Sequence, residues 1–169
     1  MKHVMAILAG LIVASGAPSA KAEPGVLESL GQGKRLSWQF SPATTLHYTY
    51  DSAHKPVVMV GLERESPSDG GLDGVALFTN SFGQPTLYMY PWGGVHHGIF
   101  GIDKLSFKWT AGVLYGYRDP YEDKVPLNYK GLSPVAIPAL AYDFDDRWTG
   151  QLNFLGTAAL MLQVNRTFR

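Results

Sequence analysis

Apolar and polar residues alternate along much of this chain. Over residues 38–50 most even positions are aromatic or apolar, whereas the odd positions are small or polar and include His47. Successive side chains of a strand point to opposite faces, so this pattern predicts a strand with one apolar and one polar face. Residues 105–118 show the clearest alternation of all.

Six further segments have the length and composition of strands, and glycine-rich or charged turns separate them. The predicted strands are residues 38–50, 56–63, 72–79, 86–92, 105–118, 132–142, 148–155 and 158–168. We predict that residues 93–103 form a connection, because Gly93-Gly94 is typical of a turn. Eight strands of about ten residues, with aromatic residues near several strand ends, are typical of a small outer-membrane barrel.

The first 22 residues have the pattern of an export signal. Lys2 and His3 precede an apolar run at residues 4–13, and Ala20-Lys21-Ala22 resembles a small-x-small cleavage site. The run is too short for a helix that spans a bilayer, and a buried first strand or an anchor is the alternative. We therefore predict a cleaved signal peptide at residues 1–22 and one domain at residues 23–169.

Composition excludes several classes of function. The chain has 14 basic and 14 acidic residues and no cysteine. The balanced charge gives no footprint for nucleic acid, and the lack of cysteine excludes disulfides and thiolate metal sites.

The predicted fold is all-β: an eight-stranded antiparallel transmembrane β-barrel with an apolar lumen pocket. A soluble lipocalin-like barrel is the alternative, but its aromatic outer faces would then meet water. The second, fourth and sixth predicted strands are apolar on both faces, which indicates a lumen with room for a hydrocarbon or one plugged by apolar side chains. Pro42, Pro134 and Pro138 lack a backbone donor and predict breaks in strand pairing, either lateral gates for a lipid or simple bulges.

The candidate site is the polar run Phe78-Thr79-Asn80-Ser81-Phe82-Gly83-Gln84-Pro85 at the end of the third strand. It brings a hydroxyl, an amide and a glycine turn to a predicted loop. His47, on the inward face of the first strand, is the candidate partner. A histidine there is also consistent with a rim residue that only makes hydrogen bonds.

Four patches resemble the lipid A palmitoyltransferases of the Gram-negative outer membrane, in the family's order. They are Pro42-Ala43-Thr44-Thr45-Leu46-His47, the run Phe78 to Phe82, Thr110-Ala111-Gly112-Val113 leading to Arg118-Asp119, and Pro134-Val135-Ala136-Ile137-Pro138. The resemblance implies an eight-stranded outer-membrane barrel with an apolar pocket for an acyl chain. The family moves palmitate from a phospholipid donor to lipid A, so the resemblance implies these two substrates. We also predict a monomer that needs no cofactor or metal.

The resemblance also implies roles for residues. His47 would be the general base or acid, and Ser81 the nucleophile or a donor to the oxyanion. Asn80 stands where the family has aspartate, and its amide would orient the histidine or an ester carbonyl. Pro42, Pro134 and Pro138 would mark lipid entry. Tyr88, Met89 or Tyr90 would make the acyl pocket shallower or change its layout if its side chain points inward.

Two further pairs of residues could bind a ligand, but each is also consistent with side chains that are simply solvated. Arg118 and Asp119 begin a charged loop that would meet lipid A phosphates or would simply be solvated. His96-His97 point to opposite faces of any strand, so we interpret them as solvated turn residues rather than as metal ligands.

Two other function classes fit the same barrel. One is a non-enzymatic outer-membrane protein for adhesion, transport or envelope integrity. The other is a lipid A deacylase, which would remove an acyl chain instead of adding one.

Overall fold

The computed structural model describes residues 33–168, whose strands form one antiparallel sheet. The strands are β1 (Arg35–Pro42), β2 (Thr45–His47), β3 (Val58–Glu65), β4 (Leu72–Thr79), β5 (Pro85–His97), β6 (Leu105–Tyr115), β7 (Leu132–Asp143), β8 (Trp148–Leu155) and β9 (Ala159–Phe168). Short 3-10 helices cover Ile99–Gly101 and Glu122–Lys124. None of the helices described has the length and apolar character needed to cross a membrane. The predicted signal peptide lies outside the described residues.

The sheet closes on itself. β1 pairs with β3 on one side and with β9 on the other, so the ladder runs around the whole barrel. β2 pairs with β9 and continues the first barrel strand beyond a break at Ala43, whose φ is 60°. The predicted eight-stranded antiparallel β-barrel is therefore confirmed, with its first strand in two pieces.

The prediction of a connection from residue 93 was wrong, because β5 continues to His97. Gly93 and Gly94 pair with Thr110 and Trp109. A Cβ on Gly93 would lie 2.7 Å from the Trp109 carbonyl oxygen, so the glycine permits close strand approach here instead of a turn.

The histidines of this strand are therefore not turn residues. His97 Nδ1 lies 2.9 Å from Ser106 Oγ and its Nε2 lies 3.2 Å from Glu65. His96 stacks on Phe107. The two rings thus contact different neighbours across the strands.

The outer wall of the barrel is apolar. Outward residues on six strands include Trp38, Phe40, Val60, Leu77, Met89, Trp109, Val113, Leu162 and Val164, each at least one-third exposed. The aromatic-rich faces of the predicted first, fifth and eighth strands therefore face outward, as their alternation indicated.

The interior has two layers. The half nearer His47 is filled by an apolar cluster: Met59, Ala76, Tyr88, Tyr90, Leu114 and Met161, with Phe78, Tyr117, Val135, Ile137 and Leu155 packed against it. The other half is polar. The apolar lumen predicted from the strands thus occupies one half of the barrel, where the apolar side chains of this cluster pack against one another.

The polar layer centres on a buried ion pair. Lys108 bonds with Glu63 and also donates to Gln151 Oε1 at 3.0 Å. Amide side chains continue the network across β8 and β9: Gln151, Asn153, Gln163 and Asn165. Lys108 and all four amide side chains thus have hydrogen-bond partners, as buried polar groups require.

β7 and β8 pair only along part of their length. Their ladder covers Ala139 to Asp143, whereas β6 stays paired to β7 from Leu132 to Tyr142. Pro134 and Pro138 lie in the half of β7 that has no partner on β8. This leaves a seam in the barrel wall, on the same half as the apolar cluster.

Candidate active site

Four connections meet at the end of the barrel nearest His47, which we call the mouth. They are residues 48–57, 80–84, 116–131 and 156–158. The last residue of β2 and the turn after β4 both reach this end. The fold therefore brings the two parts of the predicted site together.

Asn80 shapes the turn that carries Ser81. Its side-chain oxygen accepts hydrogen bonds from the backbone N–H groups of Phe82 and Gln84, each at 3.0 Å. Gly83 completes the turn at φ 81°, a value that favours glycine. Asn80 is fully buried, and the bonds of its amide stay within the turn. Its position is thus that of a residue that holds Ser81 in place.

His47 and Ser81 form a direct hydrogen bond. His47 Nε2 lies 2.7 Å from Ser81 Oγ, although 34 residues separate them in the chain. Ser81 is buried, and His47 is half-buried at the mouth. A neutral imidazole at this distance can accept the hydroxyl proton, which is the geometry needed to activate a serine.

A second histidine packs on the first. The His54 ring stacks on His47 with centroids 3.8 Å apart and planes inclined by 25°. The His54 ring also makes an edge contact with Phe82, with centroids 5.6 Å apart, and Phe82 stacks on Tyr121 at 4.2 Å. Four rings from three connections and β2 thus form one continuous row across the mouth.

The environment favours neutral His47. Burial lowers the pKa of His47 below its usual value, and the neighbouring His54 lowers it further. The neutral form of His47, which a general base requires, is therefore favoured near neutral pH.

Tyr117 lies on the other side of Ser81. Burial raises the pKa of the Tyr117 hydroxyl, while hydrogen bonds with Ser81 partly oppose that rise. The alternation of residues 105–118 placed Tyr117 outward, but β6 ends at Tyr115 and Tyr117 turns toward the apolar cluster. Sequence periodicity missed it because the period stops at the strand end.

A pocket of about 480 Å³ opens beside the ring row. Its lining is Thr49, Tyr50, Asp51, Ser52, His54, Phe82 and Lys124. It combines hydroxyls, a carboxylate, an ammonium group and aromatic faces. A polar headgroup would fit such a lining better than a hydrocarbon would.

The remaining predicted site residues occupy four places: the lumen, the end of β1, the seam and the exposed surface of the mouth. Tyr88 and Tyr90 point into the lumen, where Tyr88 bonds to Thr110 Oγ1 at 3.0 Å and Tyr90 bonds to Gln39. Pro42 ends β1, and Pro134 and Pro138 line the seam. Arg118 and Asp119 are exposed at the mouth, where the Arg118 backbone N–H donates to Gln84 Oε1 at 3.0 Å.

Within residues 33–168, no three histidine, aspartate or glutamate side chains come together as metal ligands. The chemistry available at the mouth is that of a serine, a histidine pair and a tyrosine. This set can transfer an acyl group through the serine oxygen.

Comparison with protein-family models gives no match to this chain, and comparison with curated proteins likewise gives none.

Proposed function

We propose that this chain is an outer-membrane acyltransferase that moves a palmitoyl chain from a phospholipid to lipid A. The observation that carries the proposal is the 2.7 Å hydrogen bond between His47 Nε2 and Ser81 Oγ. It lies at the mouth of a barrel whose adjoining half has an apolar interior. The family resemblance of four ordered sequence patches supports the choice of substrates.

The outer wall supports insertion in a membrane. Large apolar side chains cover the outward face, among them Trp109 at 40% exposure and Leu162 at 47%. In lipid such a face is favourable, and a closed ladder satisfies the backbone donors and acceptors that lipid cannot. The predicted export signal is consistent with a protein that reaches the outer membrane.

The proposed reaction has two half-steps. Ser81 Oγ attacks the ester carbonyl of the phospholipid while His47 Nε2 takes the serine proton, and His47 then returns that proton to the departing lysophospholipid oxygen. In the second step His47 takes the proton of a lipid A hydroxyl, whose oxygen attacks the acyl-serine. The acyl group passes to lipid A and Ser81 regains its proton.

The apolar cluster is the proposed acyl site. Met59, Leu114 and Met161 are flexible or aliphatic side chains that an incoming hydrocarbon would displace. Tyr88, stacked on Tyr90 with centroids 5.0 Å apart, bounds the depth of that site. Below the two tyrosines lies the buried Lys108–Glu63 pair, where a hydrocarbon would find no favourable contact.

The seam between β7 and β8 is the proposed entry route for the donor. Pro134 and Pro138 stay paired to β6 but face a stretch without a β8 partner. An acyl chain can pass between strands there without breaking a ladder of hydrogen bonds. Pro42, at the break between β1 and β2, marks a second weak point of the wall.

The exposed mouth is the proposed acceptor side. Arg118, Asp119 and Lys124 lie on the long connection between β6 and β7. Cationic side chains there would meet lipid A phosphates, and Arg118 offers bidentate geometry. The pocket beside His54 would receive part of the sugar headgroup.

An in vitro assay with the purified barrel in detergent micelles tests the proposal. We expect transfer of a labelled acyl chain from phosphatidylcholine to lipid A by the wild type, and a loss of about 10³-fold or more in His47→Ala and Ser81→Ala. Ser68→Ala, in the turn at the opposite end, is the matched control and retains activity.

The same assay separates the other functions. A deacylase would release an acyl chain from lipid A, and a non-enzymatic barrel would leave both lipids unchanged. Either outcome with the folded wild-type protein would overturn the proposal.

A further inference from the structure

We propose that His54 is a positioning residue for His47, fixing the plane of its ring and opposing a positive charge on it. This inference rests on the proposed roles of His47 and Ser81. It gives His47 an orienting group, since the hydrogen bonds of the Asn80 amide stay within the turn that carries Ser81.

The first argument is the contact itself. The two imidazoles lie face to face with centroids 3.8 Å apart, so rotation of the His47 ring would collide with His54. The rotation matters because Nε2 must stay 2.7 Å from Ser81 Oγ. A catalytic group misplaced by about 1 Å can cost about a hundredfold in rate.

The second argument is how firmly His54 is held. The connection that carries it is fixed on both sides: His54 N–H donates to Asp51 O at 3.0 Å, and the next residue, Lys55, donates its N–H to Ser81 O at 2.7 Å. The Phe82 ring also contacts the His54 ring, with centroids 5.6 Å apart and planes inclined by 62°. The loop that carries His54 is thus tied to the turn that carries Ser81, so the histidine pair and the serine hold one another in register.

The third argument is electrostatic. Two stacked imidazoles disfavour a second positive charge, which agrees with the lowered pKa of His47. The other ionisable groups around the pair are few. Tyr117 lies beside Ser81, Asp51 and Lys124 line the pocket on which His54 opens, and Lys55 packs against Gly83.

Alternative explanations for the stack predict different behaviour. If His54 served packing alone, any ring would replace it at every pH. If it acted only through its charge, removal of the ring would cost nothing at alkaline pH. If His54 both positions His47 and opposes its protonation, removal of the ring lowers the rate at alkaline pH, and replacement of the imidazole by another ring raises the pKa of His47.

The test compares His54→Phe, which keeps a ring, with His54→Ala, which removes it. His96→Phe, at the opposite end of the barrel, is the control. For each variant, the protein is folded in micelles with isotope-labelled histidines, and an NMR pH titration measures the pKa of His47. The acyl-transfer assay measures the pH–rate profile. Barrel folding is checked by heat-dependent mobility on gels.

In His54→Phe we expect the pKa of His47 to rise and the acidic limb of the rate profile to move to higher pH. The sign follows because neutral His47 is the active base, and a higher pKa means that its activity is lost earlier as pH falls. At alkaline pH His54→Ala should lose roughly tenfold to a hundredfold in kcat, whereas His54→Phe, which keeps a ring against His47, should lose much less.

An unchanged pKa of His47 in His54→Phe would overturn the inference, as would full alkaline kcat in His54→Ala. Failure of the proposed function looks different. In that case the wild type transfers no acyl group, and the NMR titration alone decides whether His54 acts on His47.

Discussion

At the scale of single residues, the proposed chemistry depends on one contact, the hydrogen bond between His47 Nε2 and Ser81 Oγ. His47 was expected on the inward face, and Ser81 at a strand end, because strand period and the polar run indicate these positions. His54 and Tyr117 lie in connections, where no period constrains the side-chain direction. Their positions depend on contacts between segments far apart in the chain.

Asn80 combines a predicted role at the site with a structural role in the turn that carries Ser81. The pattern suggested that its amide orients the histidine or a carbonyl, yet its bonds to Phe82 and Gln84 shape the turn. An asparagine three residues before a glycine is itself typical of such turns. The sequence therefore indicated both the role of Asn80 in the turn, through its spacing from Gly83, and its predicted role at the site, through its position before Ser81.

We expect Asn80→Ala to destabilise the barrel by about 1–3 kcal/mol, because the buried backbone N–H of Phe82 and the half-buried N–H of Gln84 lose their acceptor. Acyl transfer should fall with it, since Ser81 loses its fixed position. Asn80→Asp keeps an acceptor oxygen and should stay folded. Thermal unfolding in micelles measures the first effect, and equal stability of the alanine variant would contradict this role.

At the scale of elements, alternation predicted the strands that have one polar and one apolar face, and length and composition predicted the others. The errors lie where the backbone departs from regular pairing. The first strand breaks at Ala43, and β5 continues through Gly93-Gly94 along β6. A glycine pair favours a turn in isolation, but close packing of strands also requires glycine, and the sequence alone does not separate these uses.

The seam of β7 leads to a prediction at this scale. Replacing both prolines, Pro134→Ala with Pro138→Ala, supplies two backbone donors toward the unpaired stretch. We expect the ladder to extend and the barrel to gain about 1 kcal/mol for each restored hydrogen bond. Acyl transfer should fall roughly tenfold, equivalent to about 1.4 kcal/mol in the barrier.

Pro67→Ala, in the turn between β3 and β4, is the matched control for that double variant. It should change neither the transfer rate nor lipid access. If the double variant is more stable but equally active, lipids enter by another route.

At the scale of the whole molecule, the interior divides into an apolar half and a polar half, and only the apolar half was predicted from the sequence. Apolar strands indicated a greasy lumen, and the polar face of residues 105–118 already contained Lys108. The partner of Lys108 could not be found from sequence, because Glu63 lies 45 residues away and on a strand that is not adjacent to β6. Only closure of the barrel brings the two charges together.

We expect Lys108→Met to cost about 3–5 kcal/mol, because Glu63 would remain buried without its partner. The double variant Glu63→Leu with Lys108→Met removes both charges and should recover much of that loss. Urea unfolding of the three proteins in micelles provides the comparison. Equal stability of Lys108→Met and wild type would show that the pair does not hold the polar layer together.

The central claim is that this barrel adds an acyl chain to lipid A through Ser81. Mass spectrometry of lipid A from Gram-negative cells that express the chain tests it most directly, with Ser81→Ala as the comparison. The account predicts a lipid A species heavier by one long acyl group in cells with the wild type and its absence in cells with the variant. A lipid A spectrum that is unchanged by the folded wild-type protein under membrane stress would contradict it.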